Sequence, residues 1–133
     1  MDRYRYSRLR RAPAGDRGQA ALEYVGFLPF LLLVALCGIQ LGWAAYVVQQ
    51  AETAARTAAR AEARKPGTGD AAGRAAIREG LRGQGTTFDF DTSPDAVTVT
   101  VRITIESIVP GVGNGETTRS ATMPNDDPEV TGP

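Results

Sequence analysis

The chain has 133 residues with fifteen basic and fifteen acidic side chains, no histidine and a single cysteine, Cys37. So short a chain builds at most one small core, and its composition excludes a disulfide-stapled fold and any His/Cys metal cluster within it. The zero net charge hides a segregation: Arg3, Arg5, Arg8, Arg10, Arg11 and Arg17 crowd one end against only Asp2 and Asp16. Arginine outnumbers lysine fourteen to one, as a GC-rich bacterial genome would encode.

Residues 1–18 lack periodicity and contain Pro13-Ala14-Gly15, which reads as a basic cytoplasmic leader. By the positive-inside rule its arginines keep this end cytoplasmic and send the C-terminal part outward. A helix is expected from about Gln19, with Pro29 as a local kink and Pro66-Gly67 as the stop, so that residues 19–65 form one element. Its stretch from Val25 to Val48 is almost wholly apolar. At ~1.5 Å per residue, about 24 residues exceed the ~30 Å hydrocarbon core of a bilayer, so this is a transmembrane helix. Glu23 stands at its entrance, where a charge costs ~2.5–3.5 kcal/mol even on lenient insertion scales. Two other readings stay open: a secretory signal cut near Gly42-Trp43-Ala44, and an uncleaved anchor in which Glu23 is incidental. A lipoprotein signal fits worse, because Leu36 rather than a small residue precedes Cys37.

Within the span, Gly38-Ile39-Gln40-Leu41-Gly42 is a GxxxG step, where backbones approach closely and Gln40 offers an interhelical hydrogen bond. Beyond it the helix becomes an alanine-rich stalk. Ala44, Val47, Ala51, Ala54, Ala58 and Ala61 fall on one seam, with Glu52, Arg56, Arg60 and Arg64 opposite. Either the seam takes a close partner helix, or the alanines only maintain helicity beside a solvated charged face.

The expected extracytoplasmic domain, 66–124, starts with the turn Pro66-Gly67-Thr68-Gly69. A short helix follows, Ala71 to Arg82, capped by Asp70 and turning Ala76, Ile77 and Leu81 inward. Strands are expected at Thr86–Asp91, Ala96–Glu106 and, more weakly, Glu116–Met123. The second has the clearest alternation, with Val97, Val99, Val101, Ile103 and Ile105 on one face. The fold class is therefore α+β: a long transmembrane and stalk helix, then a small helix packed on a three-stranded antiparallel sheet. Residues 125–133 read as a disordered acidic tail.

Gly18-Gln19-Ala20-Ala21-Leu22-Glu23-Tyr24, followed by an apolar helix, resembles the processing site of type IV prepilins of the Tad (Flp) class. Leu28-Pro29, Gly38, Gln40-Leu41-Gly42, Tyr46 and the Ala58-Ala59-Arg60 ending are similar to the TadE-like pseudopilin family. The resemblance implies a minor pseudopilin, cut by a membrane prepilin peptidase between Gly18 and Gln19. It also implies that Glu23 pairs with the new amino terminus of a neighbouring pilin-like subunit, with Tyr24 anchored at the interface. The expected partners are thus the membrane, the peptidase and other pilin-like subunits.

Little in the chain suggests chemistry of its own. Asp89, Asp91 and Asp95 lack the glycine and closing glutamate of a calcium loop. Gly67-Thr68-Gly69 lacks the lysine and preceding strand of a phosphate loop, and the leader arginines are explained by topology rather than nucleic acid. No catalytic residue, metal, cofactor or small-molecule substrate is expected.

Overall fold

A computed structural model describes residues 16–83 and 85–125. The elements are α1 (Asp16–Arg64), α2 (Gly69–Ala75), a 3-10 turn (Glu79–Leu81), β1 (Thr86–Thr92), β2 (Ala96–Ile105) and β3 (Gly115–Pro124). The architecture is α+β, as expected, with a long N-terminal apolar helix, a short helix and an antiparallel sheet in the order β1-β2-β3. The expectations for residues 1–15 of the leader and for the acidic tail beyond Asn125 lie outside the described residues.

By compactness the chain divides between Leu36 and Cys37. In the first unit α1 runs unbroken through Pro29. Its large apolar side chains, among them Leu22, Val25, Phe27, Phe30 and Leu33, are exposed, apart from half-buried Leu36. By length and composition α1 can cross a membrane, and no residue of its apolar window is buried.

The second unit is built on the alternation of β2. Val97, Val99, Val101 and Ile103 are fully buried, which contributes about 1.5–3 kcal/mol for each such side chain. Facing them in the same core are Val47, Ala51, Ala54, Ala55, Ala58, Ala59 and Ala63 of α1. α1 itself is thus the main helical layer over the sheet. The sequence assigned that place to the short second helix.

That second helix is shorter than expected and is broken in two. It ends at Ala75, Arg78 turns extended at φ −56° and ψ 140°, and the 3-10 turn follows. The break lets Ile77 enter the core, where it is 1% exposed, while the Arg78 N–H donates to the side-chain oxygen of Gln50 at 3.1 Å. Asp70 is not the cap. Thr68 holds that position without a side-chain capping bond, and Asp70 instead accepts from Arg74 at 2.9 Å.

In the sheet, Thr86 pairs with Ile103 at one end of β1 and Thr92 with Val97 at the other. Phe88 and Phe90 share a face, their rings 6.5 Å apart, and pack against the core. β3 is longer than its sequence signal, pairing from Gly115 opposite Ile105 to Pro124 opposite Ala96. Its outward Thr122 meets Thr98 hydroxyl to hydroxyl at 2.8 Å.

Candidate functional site

The processing motif occupies the first turns of α1, which begins at Asp16 rather than at Gln19. Gly18, Gln19, Glu23 and Tyr24 are all exposed, and a Cβ placed on Gly18 would meet nothing within 4 Å. Gln19 and Glu23, four residues apart, lie on the same helical face. The Gly18–Gln19 peptide lies at the end of the first turn, where helical hydrogen bonding only begins. Opening that turn into an extended strand breaks few hydrogen bonds, and glycine carries the lowest steric cost for it.

The GxxxG step splits into two kinds of residue. Gly38 and Gly42 face open space, with nothing within 4 Å of a Cβ on either. Gln40 is already engaged within its own unit. Its side-chain oxygen accepts from the Ile108 N–H at 2.9 Å, and its amide donates to the Glu106 carbonyl at 3.4 Å. The interhelical bond expected of it is replaced by a clasp on the β2–β3 connection.

The alanine seam is likewise filled from within. Ala51, Ala54 and Ala58 are fully buried under this chain's own sheet, while Ala44 and Ala61 at the seam's ends are half-buried. The seam therefore meets β-branched strand residues, not a partner helix. Burial also reaches into the expected span of 25–48: Val47 is in the core, and Trp43 and Tyr46, their rings stacked 5.6 Å apart, pack against it. Across the helix Arg56 pairs with Glu52. With Arg60 they form one wall of an open groove of about 810 Å³ whose other wall is Arg119 to Met123 of β3.

Three residues that hold this unit together carry weak signals in the sequence. Gln50 fixes the break after α2, as described above. Glu62 accepts from the N–H groups of Gly67 and Gly69 at 2.7 and 2.8 Å, satisfying donors at the turn and at the start of α2. Gly73 reads as a helix-weakening residue, yet a Cβ there would lie 2.4 Å from the Phe88 ring and 3.0 Å from the Ala58 methyl. A lone polar residue in an alanine-rich helix and a glycine in a short one were the available clues.

Among the described residues no group of three or more His, Cys, Asp or Glu side chains is placed to hold a metal ion. Asp89, Asp91 and Asp95 are exposed.

Residues 18–60 match the family of TadE-like proteins. This segment is TadE-like. It opens on Gly18 and covers α1 as far as Arg60, taking in Glu23, Tyr24, Pro29, the GxxxG step and the seam as far as Ala58. The sheet lies outside the matched segment, although the TadE-like helix supplies the surface on which it packs. No curated protein and no solved structure matches the chain. The likeness to TadE-like proteins is confined to this stretch of α1.

Proposed function

We propose that this chain is a minor pseudopilin of a Tad-type pilus, held in the membrane by α1 and cut by a prepilin peptidase between Gly18 and Gln19. The observation that carries the reading is where the family match begins. The TadE-like match opens at Gly18, and Gly18 stands in an uncovered, easily opened first turn with Glu23 five residues on. The leader arginines orient the span with the N-terminus cytoplasmic and the sheet outside.

Cleavage would create an α-amino group on Gln19, one helical turn from Glu23. In an apolar surrounding an unpaired carboxylate is costly, and the opposite charge on a neighbouring subunit's terminus offsets that cost. Glu23 thus makes the register of one subunit against the next depend on charge. The protein acts as a structural component or assembly factor, and the chemistry is done to it rather than by it.

Blocking the cut tests the proposal. Gly18→Leu puts a bulky side chain beside the scissile bond and is expected to leave the full-length form in cells that process the parent chain. Normal processing of this variant would contradict the assigned cleavage site.

A further inference from the structure

We propose that the β2–β3 loop, Ser107 to Asn114, is a second membrane-contacting element, inserting Ile108 and Val112 into the lipid interface where α1 leaves the bilayer. This rests on the reading of α1 as a membrane span.

The level of the membrane surface follows from the uncovered apolar side chains of α1. They run from Leu22, 78% exposed, to Leu41, 72% exposed, interrupted by half-buried Leu36. About 20 helical residues rise ~30 Å, the thickness of the hydrocarbon core. Past Leu41 the helix is covered by protein, first at Trp43 and Tyr46 and then completely at Val47. The outer edge of the hydrocarbon therefore falls beside Gln40 and Leu41.

Gln40 is the residue that clasps the loop, through the N–H of Ile108 and the carbonyl of Glu106. The loop is thereby tied to the helix at the depth where the bilayer ends. Its composition suits that depth: Ser107-Ile108-Val109-Pro110-Gly111-Val112-Gly113-Asn114-Gly115 carries no charge, and Glu106 and Glu116 bracket it. Val109 is buried and anchors the loop, while Ile108 and Val112 point outward at 47% and 57% exposure.

A loop entering an apolar medium must also satisfy its backbone donors, since each one left unpaired costs several kcal/mol in hydrocarbon. Here the N–H of Ser107 donates to the Asn114 side chain at 3.0 Å and that of Val109 to the Ser107 hydroxyl at 3.3 Å. The N–H of Val112 donates to the Val109 carbonyl at 3.2 Å, Ile108 uses Gln40, and Pro110 has no N–H to satisfy. Ile39 and Leu41, the chain neighbours of Gln40, are exposed as well.

The test uses the full chain in phosphatidylcholine/phosphatidylglycerol vesicles, with Cys37→Ser as background and single cysteines carrying an environment-sensitive fluorophore. Ile108→Cys and Val112→Cys examine the loop, Leu31→Cys the span, and Asp91→Cys a site on β1 outside the loop. The Gln40 clasp survives these changes because it uses the backbone of Ile108. Blue-shifted emission at 108 and 112, quenched by spin-labelled lipid as at 31 and not by aqueous iodide, is the expected result, with 91 quenched by iodide alone. Lipid contact at 31 with iodide quenching at 108 and 112 would overturn the loop proposal while leaving the span intact. Shielding of 108 and 112 from both quenchers would overturn it too, by placing a protein over the loop. Iodide quenching at 31 would remove the span and the loop proposal together.

Discussion

The side-chain oxygen of Gln40 and the backbone N–H of Ile108 meet at 2.9 Å across 68 residues of chain. A glutamine in an apolar helix invites a role between helices, but here it joins a helix to a loop of its own domain. Replacing it by leucine keeps volume and apolarity, yet leaves the Ile108 N–H without its partner at a cost of about 1–3 kcal/mol. Gln40→Leu is expected to lower hydrogen-exchange protection at Ile108 more than at the β2 amides. Equal protection in both proteins would mean that the clasp contributes nothing to holding the loop.

Gly73→Ala is expected to destabilise the second unit, although alanine is the better helix former by about 1 kcal/mol. The added Cβ would run into the Phe88 ring, itself held in place by Phe90 and by Arg74 5.2 Å from its centroid. Overpacking of that kind costs about 1–3 kcal/mol, so the net change is a loss, readable as a lower denaturation midpoint. A raised midpoint would show that helix propensity outweighs the contact.

If the seam of α1 is filled by the sheet, a thiol within it is inaccessible even when the protein is a monomer in detergent. Ala54→Cys in a Cys37→Ser background is expected to resist maleimide until denaturant is added. Ready labelling of the native monomer would return the seam to an intermolecular role.

The alternation of β2 was legible because one buried face imposes a period of two, and the apolar length of α1 because it is a nearly unbroken run of one residue class. The seam was legible as a set of small residues but not as to its occupant. Close packing asks for alanine whether a helix or a sheet comes alongside, and only the fold says which. The end of α2 and the roles of Gln40, Gln50 and Glu62 stayed hidden for another reason. Each depends on a backbone donor from a different part of the chain, and no local pattern records that distance. Asp70 illustrates the converse: its type and position fit a cap, but the salt bridge to Arg74 four residues on took its carboxylate.

Glu23→Gln separates assembly from anchoring. A carboxylate that merely tolerates the bilayer edge loses nothing by neutralisation, and insertion improves. One that pairs with a neighbouring amino terminus leaves a desolvated charge alone, which costs about 3–5 kcal/mol. The variant is expected to remain inserted and processed but to stop co-purifying with other pilin-like subunits. Blocking cleavage as well should add no further loss, because the amino partner is then already missing. Undiminished association of the processed variant would contradict the pairing of Glu23 with a neighbouring amino terminus.

Cleavage is the step on which the pseudopilin account turns, and sequencing the N-terminus of the membrane-associated mature protein reads it directly. The account predicts a chain that begins at Gln19. A chain that retains the residues before Gly18 would contradict it in favour of a simple membrane anchor, and one that begins near Ala45 would contradict it in favour of a secreted protein.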